Sequence, residues 1–287
     1  EGNTLLSVTN ADNIFCFRTY MDLYNTGVES ADISYVQNQI DTIVNSASLA
    51  HWDWIDAFYM AAPTFVRMYE MTGDEKYLDK MYKMIKYTAE NLNCYDEEEG
   101  LWYRDARYID QKSENGEKIF WSRGDGWVYA AFAQIIEELP DSYENKDYFV
   151  DVFLAMSEAL KAAQCEKGAW HESLHDKAYN PDCEMSGTGF FTYGMLWGIN
   201  NGYLDEEEYL YPALKGWRWL ADTALQDNGH IGYVQHIGAE PTKNKLTADV
   251  TEDYAYAIFV FAASELAKYL GGVQGDVLPY LQKKLLG

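Results

Sequence analysis

The chain has 287 residues, 48% of them hydrophobic, which is enough to bury a large core. Its 46 acidic residues against 22 basic ones give a net charge of −24. That excludes the basic footprint a nucleic-acid partner needs, and it disfavours an anionic membrane surface. No run approaches the ~18 apolar residues of a membrane span, and the opening EGNTLLSVTN has neither the basic nor the apolar part of a signal peptide.

In chain order, apolar residues recur at helical spacing over 14–24, 33–45, 55–71, 76–92, 127–139, 148–163, 189–200, 207–224, 254–269 and 277–285. Almost nothing shows the period-2 pattern of a strand. The breaks repeat. Asn25-Thr26-Gly27, Thr72-Gly73-Asp74, Leu139-Pro140-Asp141 and Asn201-Gly202-Tyr203 each end one helix and precede another, at intervals of 47, 67 and 62 residues. Gly or Asn suits a left-handed C-cap, and the acidic residues that follow suit the next N-terminal turn. Helical hairpins at this pitch predict an all-α toroid, with residues 1–287 as one domain. Three longer links, 93–123, 164–188 and 226–251, are rich in Gly, Trp, His, Arg and Asp. In a toroid such links gather at one end and build the site.

The aromatic content is 16%. It fits a helical core, and equally a sugar site, because aromatic faces stack on pyranose rings. Cys16, Cys94, Cys165 and Cys183 form no C-x-x-C pair and are read as buried free thiols. His171 and His175 stand four apart in a loop, so no metal site and no cofactor are expected.

Five segments concentrate chemistry. In Trp52-Asp53-Trp54-Ile55-Asp56-Ala57-Phe58-Tyr59-Met60, Asp56 opens an apolar helix. There it acts as an N-cap or, at the mouth of an aromatic pocket, as a general acid with a raised pKa. In Phe120-Trp121-Ser122-Arg123-Gly124-Asp125-Gly126-Trp127, the glycines allow close approach of a ligand, Trp121 and Trp127 offer stacking faces, and Arg123 offers a forked donor. Met185-Ser186-Gly187-Thr188-Gly189 sets small hydroxyls at a helix start but has no P-loop lysine. The others are Leu101-Trp102-Tyr103-Arg104-Asp105-Ala106-Arg107-Tyr108 and Gly232-Tyr233-Val234-Gln235-His236-Ile237-Gly238, the latter followed by TADVTEDY at 247–254.

Taken in order, DAFYMAAP (56–63), TGDEKYLD (72–79), LWYRDARY (101–108), FWSRGDGW (120–127), SGTGFFTYGMLWGINNG (186–202) and GYVQHIGA (232–239) resemble the unsaturated rhamnogalacturonyl hydrolases, glycoside hydrolase family 105. The related unsaturated glucuronyl hydrolases share parts of the pattern. The resemblance implies an (α/α)6-type toroid. It also implies hydration of the C4=C5 double bond of a terminal unsaturated uronic acid on pectin-derived oligosaccharides, a small anionic substrate. Asp56 takes the general acid/base position. Substrate contacts are expected from Trp54, Tyr59, Met60, Arg104, Trp121, Arg123, Asp125, Trp127, Ser186, Thr188 and Tyr233, with Arg104 or Arg123 on the substrate carboxylate. The sequence departs from the family where a second Asp is usual near an early helix. Ala11-Asp12-Asn13-Ile14 aligns there, so that position reads Asn13, with Asp12 one residue before it. Asp125 stands where relatives often carry Asn, and Tyr233 where Trp is usual. Five hairpins are counted against the family's six, which puts the sixth before Glu1. The same departures admit a catalytically weakened oligosaccharide-binding relative. A toroidal epimerase would need paired catalytic histidines that His51, His171, His175, His230 and His236 do not supply.

Overall fold

The structure, a computed structural model, describes residues 9–27 and 33–272. The expected helix at 277–285 lies outside them. The helices are α1 (Ala11–Phe15), α2 (Phe17–Asn25), α3 (Ser34–Val44), α4 (Asp56–Thr72), α5 (Lys76–Lys86), α6 (Ser122–Glu138), α7 (Lys146–Ala163), α8 (Met185–Asn200), α9 (Glu206–Trp219) and α10 (Tyr254–Gly272). π turns extend α5 through Tyr87–Asn91 and α9 through Leu220–Ala224. Two antiparallel two-residue ladders, β1 (Tyr95–Asp96) with β2 (Leu101–Trp102) and β3 (Trp170–His171) with β4 (Cys183–Glu184), lie inside the links. Among the described residues no helix is long and apolar enough to cross a membrane.

α4 with α5, α6 with α7 and α8 with α9 pack as hairpins, while α1, α4, α6, α8 and α10 lie side by side in that order. This is the α/α toroid layout: an inner row of helices, each backed by an outer one. Composition explains which is which. α8 is buried on every side from Met185 to Gly198, as an inner helix must be, whereas α5 confines its apolar residues to one face. The turns follow the sequence reading. Gly73, at the end of α4, has φ 71° and ψ 9°, a left-handed cap that only glycine adopts without penalty.

Pro63 sits inside α4. It has no N–H, so the carbonyl four residues earlier, that of Tyr59, loses its helical donor. Arg18 of α2 fills that gap by donating to the Tyr59 carbonyl, and its Nη1 donates to Gln134 Oε1 at 3.2 Å. The guanidinium lies over the rings of Phe15 and Tyr59, and burial lowers its pKa to about 10. A helix-breaking residue thereby becomes a docking point between α2 and α4.

Glycines of the second and third motifs act in the same packing. A Cβ on Gly126 would stand 2.7 Å from the Phe190 ring, and one on Gly189 would stand 2.4 Å from Ile258. These residues let α6, α8 and α10 approach one another. The ligand approach expected from the glycines around Asp125 is corrected on this point: helix packing occupies the space.

Candidate active site

The N-terminal ends of the inner helices gather at one end of the molecule. A Cβ on Gly124 would stand 3.3 Å from Ile55, just before α4, and one on Gly187 would stand 2.7 Å from Ser122. The Arg123 guanidinium lies 5.1 Å from the ring of Tyr254, the first residue of α10. The three long links close over this end and are stitched to one another. Ser122 N–H donates to the Glu172 carbonyl at 2.9 Å, and Leu174 N–H to the Phe120 carbonyl at 3.0 Å. Thr242 N–H donates to Glu172 Oε2 at 2.5 Å, and Leu246 N–H to Asp182 Oδ2 at 3.1 Å.

Asp56 begins α4, and its side chain is 13% exposed. The neighbouring link holds Arg104 against it: Ile55 N–H donates to the Arg104 carbonyl at 3.0 Å, and Trp54 bridges Asp105. Arg104 Nε donates to Asp56 Oδ2 at 3.2 Å, and its Nη1 donates to Asp105 Oδ2 at 2.8 Å. Arg107 makes three further bonds to Asp105, two from its guanidinium at 2.8 Å and one from its backbone N–H at 3.1 Å. Burial raises the pKa of Asp56, against the opposing pull of Arg104 and, further away, of Arg123. Burial also works to raise Asp105, but donation from Arg107 and Arg104 overrides it and holds that carboxylate at about 2. Two adjacent acids therefore hold their protons very differently. Trp54 and Arg104 line a cleft of about 350 Å³ with Asp53, Asp105 and Arg107.

The other expected residues fall into layers. Trp127 is half-buried, with its ring 4.7 Å from Tyr59 and 4.5 Å from Phe190, and Met60 is partly buried on the same core. Trp121 and Arg123 lie beneath, at 1% and 2% exposure. Arg123 donates to the carbonyls of Gln235 and His236, both at 2.8 Å, and stacks 4.5 Å from the Trp121 ring. Trp121 Nε1 donates to Gln235 Oε1 at 2.6 Å. Both residues therefore hold the 232–238 loop in place. Asp125 is fully buried, accepting from Trp102 N–H at 2.9 Å, and burial pushes its pKa well above the usual carboxylate range.

Ser186 and Thr188 are also fully buried. Ser186 Oγ bonds Glu184, and Thr188 Oγ1 donates to the Glu184 carbonyl at 2.6 Å while accepting from Trp170 N–H at 3.0 Å. Tyr233, in a left-handed conformation with φ 60°, turns its ring toward Trp219 and lines a different cleft, beside Cys183. Asp12 is exposed on α1, which packs on α4, and Asn13 beside it is partly buried.

Glu184, Glu172 and Arg18 escaped the sequence reading. Glu184 caps α8 through Ser186 N–H and Gly187 N–H, and it also accepts from Gln235 N–H at 3.1 Å. An acid immediately before a Met-Ser-Gly helix start is a readable capping signal. Glu172 is fully buried, and its pKa is raised to about 7 by burial. Nothing in its local sequence marks it.

A relative from Alteromonas sp., named unsaturated 3S-rhamnoglycuronyl hydrolase, is 40% identical over 75% of this chain. The chain spans 51% of that relative's length, about half. A structure described as a glycosyl hydrolase of family 88 from Bacteroides vulgatus superposes with a TM-score of 0.89 at 37% identity, over 94% of this chain and 78% of that one. A structure from Salmonella enterica, described as a candidate for family 105, shares the fold at TM-score 0.72 and 20% identity, over 93% and 73% of the two chains. The model of glycosyl hydrolase family 88 matches residues 1–270, and the chain belongs to that family.

Proposed function

We propose that the chain removes a terminal 4,5-unsaturated uronic acid from an unsaturated rhamnoglycuronyl oligosaccharide, as the name of its relative describes for that protein. The supporting observation is Asp56, a carboxyl raised by burial at the start of α4, with Arg104 Nε at 3.2 Å. The reaction needs an acid that begins protonated. Asp56 gives its proton to C4 while water adds at C5, and the resulting carboxylate takes the proton of that water. The C5 hemiketal opens to a ketone, C1 becomes a hemiacetal, and its collapse releases the neighbouring sugar. Atoms balance with one water consumed. One carboxyl suffices, unlike the paired carboxyls of ordinary glycosidases. In this reading Arg104 meets the uronate carboxylate and half-buried Trp127 offers a face to the sugar ring.

The test follows the enol-ether absorbance of unsaturated rhamnoglycuronyl, rhamnogalacturonan and glycosaminoglycan disaccharides in parallel. Asp56→Asn should lower turnover by ~10²–10⁴-fold with an unchanged circular-dichroism spectrum. Undiminished turnover in that variant ends the proposal. Asn13 supports a second reading, an oligosaccharide-binding relative of weakened activity, because an amide cannot supply a second carboxylate. Calorimetric binding of the same sugars with no absorbance change selects that reading, and Asn13→Asp should then gain activity.

A further inference from the structure

The three residues Cys165, His171 and Cys183 lie far apart in any spacing rule for a metal motif, yet the second long link folds them together. β3 pairs with β4 in a register that sets His171 directly opposite Cys183, so both side chains leave the ladder on the same face. A tight turn brings Cys165 back beside them: Cys165 N–H donates to the Ala169 carbonyl, and Gly168 N–H to the Cys165 carbonyl, both at 2.9 Å. Gly168 is needed there. Its φ is +87°, and a Cβ would stand 2.7 Å from the Lys215 backbone.

The two sulfurs are 3.5 Å apart, and one ligand atom from each of the three residues falls within 4.8 Å of the others. Zinc–sulfur bonds of ~2.3 Å at tetrahedral angles separate two thiolates by ~3.7 Å, and a thiolate from an imidazole nitrogen by ~3.6 Å. The observed sulfur separation is near the first figure and far from the ~2.05 Å of a disulfide. His171 Nδ1 faces the Asp182 carbonyl at 3.1 Å. A proton donated there fixes the tautomer and leaves Nε2 as the ligand nitrogen, the usual support of a metal-binding histidine. Cys183 also borders a cleft of about 360 Å³ shared with Lys167, Asp182 and Tyr233.

We propose that Cys165, His171 and Cys183 form a binding site for a zinc-class divalent ion, with water as the fourth ligand, that staples the end of α7 to the β3–β4 ladder. The staple lies next to working parts: β4 ends in Glu184, the cap of α8, and β3 is followed by Glu172, which holds Thr242. It makes no contact with Asp56 and takes no part in the proton transfer proposed there.

Full-length protein, reduced and freed of metal under anaerobic conditions, is titrated with Co²⁺. One equivalent should bind, giving a near-ultraviolet thiolate-to-cobalt charge-transfer band and the visible bands of a tetrahedral ion. Zn²⁺ should displace the cobalt and raise the melting temperature of the reduced protein. Cys165→Ser and His171→Ala should each lose the charge-transfer band or weaken binding at least tenfold, whereas Cys16→Ser, at an exposed thiol on α2's N-terminal side, should bind normally. No cobalt uptake by the reduced protein overturns the proposal, and so does a band that survives Cys165→Ser and His171→Ala. Oxidation of Cys165 and Cys183 to a disulfide in air, without cobalt uptake after reduction, overturns it as well.

Discussion

Asp56 is held between burial, which favours its protonated form, and Arg104, which favours its charged form. A bound uronate carboxylate would engage Arg104 and add a negative charge nearby. Both changes favour the acid form, so the pKa of Asp56 should be higher in the complex than in the free enzyme. A general acid works only while protonated, so activity falls as pH rises through that pKa. The alkaline limb of kcat should therefore lie at higher pH than the alkaline limb of kcat/KM, which reports the free enzyme. Coincident limbs would show that Arg104 does not meet the substrate.

Asp125 tests burial without a cationic partner. Its Oδ2 has no hydrogen-bond partner among the described residues, and its pKa is raised by desolvation alone, opposed only by the Trp102 N–H bond. The folded protein thus binds a proton that the unfolded chain releases above ~3.9. This stability is fully present below that value and is lost as pH rises through the folded pKa. Asp125→Asn removes the titration. Between pH 5 and pH 8 the variant should gain in melting temperature relative to the parent, by a few degrees if ~1 kcal/mol is involved. Parallel melting curves would mean that Asp125 stays charged.

At the scale of elements, the contact of α2 with α4 turns on one missing N–H. Arg18→Ala strips the Tyr59 carbonyl of the donor that replaces Pro63's, and a buried unpaired carbonyl costs ~1–3 kcal/mol. Pro63→Ala supplies an N–H in register for that same carbonyl. The two substitutions should therefore be non-additive: the double variant should unfold at higher denaturant than Arg18→Ala alone. Simple additivity would show that the carbonyl finds another partner.

The helices themselves were legible. Apolar periodicity placed α3, α4, α7 and α10 within about two residues at nearly every end, because each buries one persistent stripe or is buried throughout. α6 and α8 begin five and four residues earlier than the pattern suggested, since Gly, Ser and Thr carry little apolar signal even where neighbouring helices bury them. The single helix expected over 14–24 is two, broken at Cys16, and Cys16 is exposed rather than buried. Asp56 and Arg104 could be singled out because their motifs are local. The inward turn of Arg123, Ser186 and Thr188, and the meeting of Cys165 with Cys183, depend on how three distant links fold over one another, and no window of sequence contains that.

For the whole molecule, the proposed function raises the question of how a protein of net charge −24 would admit an anionic sugar. The inner helices α4, α6, α8 and α10 direct their N-terminal ends to the end that carries Asp56. The α8 end is already taken by the Glu184 side chain, so the ends of α4, α6 and α10 contribute, roughly +0.5 of an elementary charge each, short in range and little screened where water is excluded. Arg104 adds a full charge, 22% exposed, at the same place. The repulsive field of the remaining surface acts over longer distances. It reaches ~30 Å at 0.01 M ionic strength but only ~8 Å at 0.15 M. Salt should therefore suppress the repulsion more than the local attraction, and kcat/KM for an unsaturated uronyl disaccharide should rise several-fold between these two conditions. An uncharged analogue, such as the methyl ester of the uronate, should show little of this dependence. If kcat/KM for the anionic sugar falls with salt instead, attraction extends well beyond the site, and the acidic surface must be arranged so that a positive channel leads to Asp56.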